Sequence, residues 1–123
     1  MNLYASREDY LEAILVLYKK FGSVRSVDIA RHMGVSKPSV CHAVNVLCDG
    51  GFLTKDDKHF ISLTEEGRKV AEKIYERHKF FKEQLISAGV RPNIAETEAC
   101  RIEHCISDES FLKLKEYREK GKR

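Results

Sequence analysis

The densest chemistry in this chain lies in Cys100-Arg101-Ile102-Glu103-His104, where a thiol, a carboxylate and an imidazole stand at i, i+3 and i+4 of one predicted helix. At that spacing all three face the same side. Thiolate, carboxylate and imidazole are donors to divalent Fe, Mn, Co, Ni or Zn, and one helical turn is short enough for a single ion to meet all of them. Further donors sit elsewhere. Asp9 and Glu12 make an i, i+3 carboxylate pair near the start of the first predicted helix, and His78 lies in the middle of a long one, flanked by Ile74, Phe80 and Phe81. A lone core-facing histidine is more often a hydrogen-bonded structural residue, but beside two sources of carboxylate the balance shifts towards a ligand. Burying Asp9, Glu12, Glu103 and His78 together without a cation would be costly, because carboxylates stripped of water repel one another. The candidate ligand set is therefore Asp9, Glu12, His78, Cys100, Glu103 and His104.

The elements that must position these groups can be read from periodicity and punctuation. Ser6, followed by Glu8 and Asp9, opens a helix in which Leu11, Ile14, Leu15 and Tyr18 recur at helical spacing until Gly22. A short second helix starts with Ser26 as cap and stops at Gly34; Ser36 caps a third, with Pro38 in its first turn and Val40, Val44 and Leu47 as its buried stripe. The segments Phe52–Lys55 and His59–Leu63, around Asp56-Asp57-Lys58, read as a β-hairpin. Thr64 caps a long helix to about Ala88, another runs from about Asn93 to Ile106 after Pro92 breaks the chain, and Ser107 caps a last one bearing Phe111, Leu112 and Leu114 before a polar tail from Glu119 to Arg123. The expected fold is mainly α: a winged helix-turn-helix over residues 1–63 with a β-hairpin wing, then a helical metal-binding and dimerisation domain over 64–123, with 64–88 as connector.

Helix, tight turn, helix and hairpin together make a DNA-reading element. On the third helix, Lys37, Ser39, His42 and Asn45 point away from the buried stripe, and Ser36, Lys37, Pro38 and Ser39 form its N-terminus, where free amides favour a phosphate. His59 could touch a phosphate from the wing, and a strand-edge surface role is at least as expected. The chain has 123 residues and a formal net charge of +3, with no polybasic run, so DNA recognition must come from a shaped element and not from a charge cloud. No stretch reaches the ~18 apolar residues of a membrane span and no export signal opens the chain, which points to a cytoplasmic protein. Cys41, Cys48, Cys100 and Cys105 lie within helical patterns with no loop-rich disulfide framework, so reduced thiols are expected.

The stretch Glu98-Ala99-Cys100-Arg101-Ile102-Glu103-His104 with Ser107-Asp108-Glu109 resembles the metal-binding segment of the diphtheria-toxin-repressor family of metal-dependent regulators. Asp9-Tyr10-Leu11-Glu12 and Tyr75-Glu76-Arg77-His78 are similar to its manganese-transport-regulator branch. The resemblance implies that Asp9 and Glu12 match acidic ligands of the manganese branch, that His78, Glu103 and His104 match ligands of both branches, and that Cys100 matches the thiol of the iron branch. It also marks departures. Lys82 stands where the iron branch has a glutamate, Glu96 where it has a later histidine, and Cys100 replaces a bridging carboxylate, so one well-formed metal position is expected. The SH3-like third domain of the iron branch is not expected.

By resemblance, the chain is a DNA-binding transcriptional regulator, repressing in sign. Mn(II) or Fe(II) would act as corepressor, with Co(II), Ni(II) or Zn(II) able to substitute in vitro. One ion held by groups from the DNA-binding half, the connecting helix and the dimerisation half would restrict domain motion. In a homodimer it would space two recognition helices for a palindromic operator. The alternative is a metal-free winged-helix regulator that senses redox state through Cys100 and Cys105 or through Cys41 and Cys48. An enzyme is not expected, because up to six protein ligands leave no open coordination position for substrate.

Overall fold

Most helix starts among the described residues coincide with a residue able to satisfy free amides or tolerate their absence, as at Ser6, Ser36, Thr64, Pro92 and Ser107. The structure, a computed structural model, describes residues 6–121. It contains α1 (Arg7–Phe21), α2 (Ser26–Met33), α3 (Lys37–Asp49), β1 (Leu53–Lys55), β2 (Ile61–Leu63), α4 (Glu65–Ser87), α5 (Pro92–Ile102) and α6 (Asp108–Gly121). The chain divides within α4, between Lys73 and Ile74, into two compact units.

In the first unit, Ser6 and Asp9 form a reciprocal capping box that starts α1: the Asp9 amide donates to Ser6 Oγ at 3.1 Å and the Ser6 amide to Asp9 Oδ2 at 2.9 Å. α1, α2 and α3 pack on one another, with β1 against α3 and β2 against α1. Leu11, Ile14, Ile29, Val40, Val44, Leu47, Leu53 and Ile61 fill the space between them. Tyr18, placed on the inward stripe by spacing, is instead exposed, and Tyr10 and Leu17 are buried. Gly34 ends α2 with φ +68°, a left-handed conformation that makes the turn into α3 cheap only for glycine. α3 starts as expected, with Ser36 Oγ accepting from the Ser39 amide at 3.2 Å and Pro38 in the first turn. Ser26 is not the cap of α2: it is the first helical residue, and Asp28 accepts a hydrogen bond from the Arg25 amide at 2.9 Å.

The hairpin pairs antiparallel with Leu53 opposite Leu63, Thr54 opposite Ser62 and Lys55 opposite Ile61. It is shorter than expected because Asp56 organises the turn, its Oδ1 accepting from the amides of Lys58 and Phe60 at 2.9 Å each. His59 falls in that turn with φ +68° and is not a strand residue. The Ile61 amide donates to the Val24 carbonyl at 2.8 Å, tying the hairpin to the α1–α2 connection. Thr64 caps α4, its Oγ1 accepting from the Gly67 amide at 3.1 Å while donating to the Gly51 carbonyl at 2.7 Å.

The second unit is built from the rest of α4 with α5 and α6. Phe80, Phe81, Ala99 and Phe111 form its core, with Ile102 and Ile106 packed against it. Phe80 meets Phe81 and Phe111 edge-on, with centroids 5.1 and 5.4 Å apart. Phe111 therefore belongs to the interior, whereas Leu112 and Leu114 are exposed. α5 begins at Pro92 itself and ends at Ile102, four residues before the expected Ile106. Arg77 supplies the reason. Its buried guanidinium donates to the carbonyls of Glu103 at 3.2 Å and Ile106 at 2.7 Å and pairs with Asp108, turning the chain out of the helix. α6 continues through Gly121 where a polar tail was expected to fade; Lys122 and Arg123 of that tail, like residues 1–5, lie outside the described residues.

Candidate metal centre

Two small residues set the geometry of the second unit's polar cluster. Ala95 and Ala99 on α5 are fully buried, and with no bulk between the helices the neighbouring positions Glu96 and Cys100 reach α4. Glu103, as the C-cap of α5 with φ −58° and ψ −24°, prolongs the same face. The triad Cys100, Glu103, His104 is thus not carried by one helix: Cys100 lies on α5, Glu103 closes it, and His104 stands in the turn beyond. Because the Glu103 backbone is still helical, the i, i+3 relation to Cys100 survives.

His78 on α4 receives them. Its Nδ1 lies 2.9 Å from Glu103 Oε2 and 3.6 Å from Cys100 Sγ, while its Nε2 lies 3.0 Å from Glu96 Oε1. Potential donor atoms of His78, Cys100 and Glu103 all fall within 4.8 Å of one another. His104 Nε2 approaches Glu103 Oε1 to 3.3 Å but does not hydrogen-bond to it. Glu103 is fully buried, and Oε1 has no hydrogen-bond partner among the described residues. A buried oxygen left unpaired costs about 1–3 kcal/mol, more when charged, and a cation there removes that cost. Thiolate, imidazole and carboxylate within one ion's reach are also the donor types a divalent transition metal takes. The residues present fit such an ion.

The electrostatics agree. The Cys100 sulfur and the Glu103 carboxylate, followed by Glu96, stabilise a protonated His78, outweigh its burial and push it up to about 11. Burial tends to raise Glu96, but hydrogen bonds from Lys82 and His78 prevail and hold it below the ordinary carboxylate value. Lys82 Nζ sits 2.8 Å from Glu96 Oε2. Sequence reasoning treated Lys82 and Glu96 only as departures and gave Arg77 no role. The readable signals were the four-residue spacings from His78 to Lys82 and from Glu96 to Cys100.

Of the remaining candidates, Asp9 and Glu12 stand three residues apart on α1 in the first unit, both half-buried. Ser36, Lys37, Pro38, Ser39, His42 and Asn45 are all exposed, at the N-terminus of α3 and along it, while Val40, Val44 and Leu47 of the same helix are buried. The four cysteines are free thiols, Cys41 and Cys48 partly buried and Cys100 and Cys105 exposed.

Two family profiles align with the chain. One, described as the N-terminal DNA-binding domain of an iron-dependent repressor, matches residues 2–59; the other, described as the metal-binding and dimerisation domain of an iron-dependent repressor, matches residues 64–123. The chain is 36% identical over 104 residues to the transcriptional regulator MntR of Escherichia coli, covering 85% of this chain and 67% of that protein. It is 33% identical over 119 residues to an uncharacterised HTH-type transcriptional regulator of Methanocaldococcus jannaschii, covering 95% of each. Among solved structures, that of the manganese regulator SloR superposes with a TM-score of 0.84 at 26% identity, covering 95% of this chain and 55% of that one. The chain thus spans about two thirds of the Escherichia coli relative and little more than half of SloR. None of these similarities supports the redox alternative.

Proposed function

The chain belongs to the diphtheria-toxin-repressor family of iron-dependent repressors, and from that premise we propose that it is a transcriptional repressor whose binding to operator DNA depends on a divalent metal ion. The observation that carries the reading is the meeting of His78 and Cys100 with the buried carboxylate of Glu103, whose other oxygen, Oε1, has no hydrogen bond among the described residues. These three residues hold the ion, with His104 beside Glu103 as a further ligand. Asp9 and Glu12 are assigned to the same ion on the strength of the sequence resemblance alone. Bound there, the metal supplies fixed positive charge and a cross-link, not reactive chemistry, and the reading is regulatory rather than catalytic.

DNA is met by the exposed face of α3: Lys37, Ser39, His42 and Asn45 towards base edges and phosphates, with Ser36 and Pro38 setting the helix N-terminus. The protein works as a homodimer on a palindromic site in the cytoplasm. No helix among the described residues is long and apolar enough to cross a membrane. The carboxylates favour Mn(II) and the softer thiolate favours Fe(II), Co(II) or Zn(II), so Mn(II) and Fe(II) are both physiological candidates.

The deciding experiment is an anaerobic titration of binding to a pool of operator-length DNA against Mn(II), Fe(II), Co(II) and Zn(II). Wild-type protein gains affinity with at least one ion, and Glu103→Ala loses that gain while Cys100→Ala changes the order of metals. DNA binding that ignores both chelator and added metal would refute the reading.

A further inference from the structure

His78 has two ring nitrogens and, in this fold, two different sets of neighbours. Nδ1 faces Glu103 at 2.9 Å and Cys100 at 3.6 Å, the donors assigned above to the ion. Nε2 faces Glu96 at 3.0 Å. An imidazole gives a metal one nitrogen, and the acceptor on the other N–H decides the tautomer, the ring plane and the strength of the donor.

We infer that Glu96 is the positioning carboxylate of His78: it accepts the Nε2 proton, leaves Nδ1 for the metal, and acts through the imidazole without being a ligand itself. Resting on the metal-regulator reading, this adds a residue and a tautomer to it. Both oxygens of Glu96 are engaged, Oε1 with His78 and Oε2 with Lys82 Nζ at 2.8 Å. The pairing is built by register. Lys82 follows His78 by one turn of α4, and Glu96 precedes Cys100 by one turn of α5, so the contact that presents Cys100 to Nδ1 also presents Glu96 to Nε2. Lys82 anchors the outer oxygen and keeps the carboxylate from swinging towards the ion. Were Glu96 and Lys82 only a half-exposed surface ion pair, worth little in water, their removal would leave the metal site untouched.

The test measures Zn(II) affinity by competition with a chromophoric chelator, together with histidine ¹⁵N spectra of the Zn(II)-loaded protein, for wild type, Glu96→Ala and Glu96→Gln. Melting of the metal-free variants checks that they fold. In wild type Nδ1 is the metal-bound nitrogen and Nε2 keeps its proton. Glu96→Ala weakens binding about 10- to 100-fold, the usual loss for such a partner, and Glu96→Gln, which retains a carbonyl acceptor, recovers most of it. Equal affinity for Glu96→Ala, or metal on Nε2 in wild type, overturns the inference while leaving the regulator reading standing. So does a Glu96→Gln variant as weak as Glu96→Ala with altered ligand-field bands in its Co(II) form, because Glu96 would then be a ligand. Wild-type protein that takes up no Zn(II) overturns both readings.

Discussion

His78 must give up a proton before it can serve a metal ion. Cys100, Glu103 and Glu96 push it up to about 11, so at neutral pH the metal-free site is protonated and an arriving ion expels that proton. Apparent metal affinity should therefore rise with pH from the mildly acidic range upwards. Calorimetric titrations with Zn(II) at neutral pH, in buffers of different ionisation enthalpy, should show about one proton released from His78 per ion. Identical heats in all buffers would contradict this. The stability consequence has the opposite sign: a histidine raised above its ordinary 6.5 contributes stability fully present below that value and lost as pH rises through about 11. Alkali thus weakens the metal-free protein over the range in which it strengthens the site. The donor types at this site were legible from Cys100, Glu103, His104 and His78 in sequence. Which nitrogen of His78 meets which carboxylate was not, because it depends on how closely α5 approaches α4.

At the scale of elements, most helix starts were legible because a cap is a local event between residues three apart, as with Ser6 and Asp9, Ser36 and Ser39, or Thr64 and Gly67. Ends decided by distant partners were not. α5 stops at Ile102 because Arg77, 26 residues before Glu103, captures that residue's carbonyl. Gly67 is another non-local case. Its sequence context suggests only a weak spot in a helix, yet a Cβ there would overlap the Phe52 carbonyl oxygen, which is backbone and cannot rotate away. Gly67→Ala should gain helix propensity and still destabilise the first unit by about 1–3 kcal/mol, through forced separation of α4 from the β1 approach. Urea denaturation of the metal-free protein measures it, and an unchanged or higher midpoint would refute the close-contact argument.

For the whole molecule, the second unit has a small core of phenylalanines, and it leaves Ile86, Leu112, Leu114 and Tyr117 exposed on α4 and α6. Tyr117, at 79% exposure, is a large side chain that a monomer gains nothing by presenting to water. These residues are where the proposed homodimer would hide apolar surface. Leu114→Asp should shift sedimentation from dimer to monomer and lower metal-activated operator affinity, while Zn(II) uptake through His78, Cys100 and Glu103 persists. A variant that stays dimeric would place the interface elsewhere. Phe111, beside Leu112 in the sequence, lies in the core, since adjacent helical positions are 100° apart and only contact shows which one faces inwards.

What the linear order of residues determined is set by near neighbours: the periodicity of the helices and most of their caps, the hairpin around Asp56, and the soft-and-hard donor mixture of the proposed metal site. Such features depend on hydrogen bonds and side-chain directions within a turn or two, which composition and spacing encode directly. Only the tertiary structure decided that Glu103 is sealed from water with one oxygen lacking a hydrogen bond among the described residues, that His78 is shared between Glu103 and Glu96, and that Arg77 ends α5. Those outcomes turn on the few ångströms between α4 and α5, a separation set jointly by Ala95, Ala99 and the phenylalanine core and visible in none of them alone.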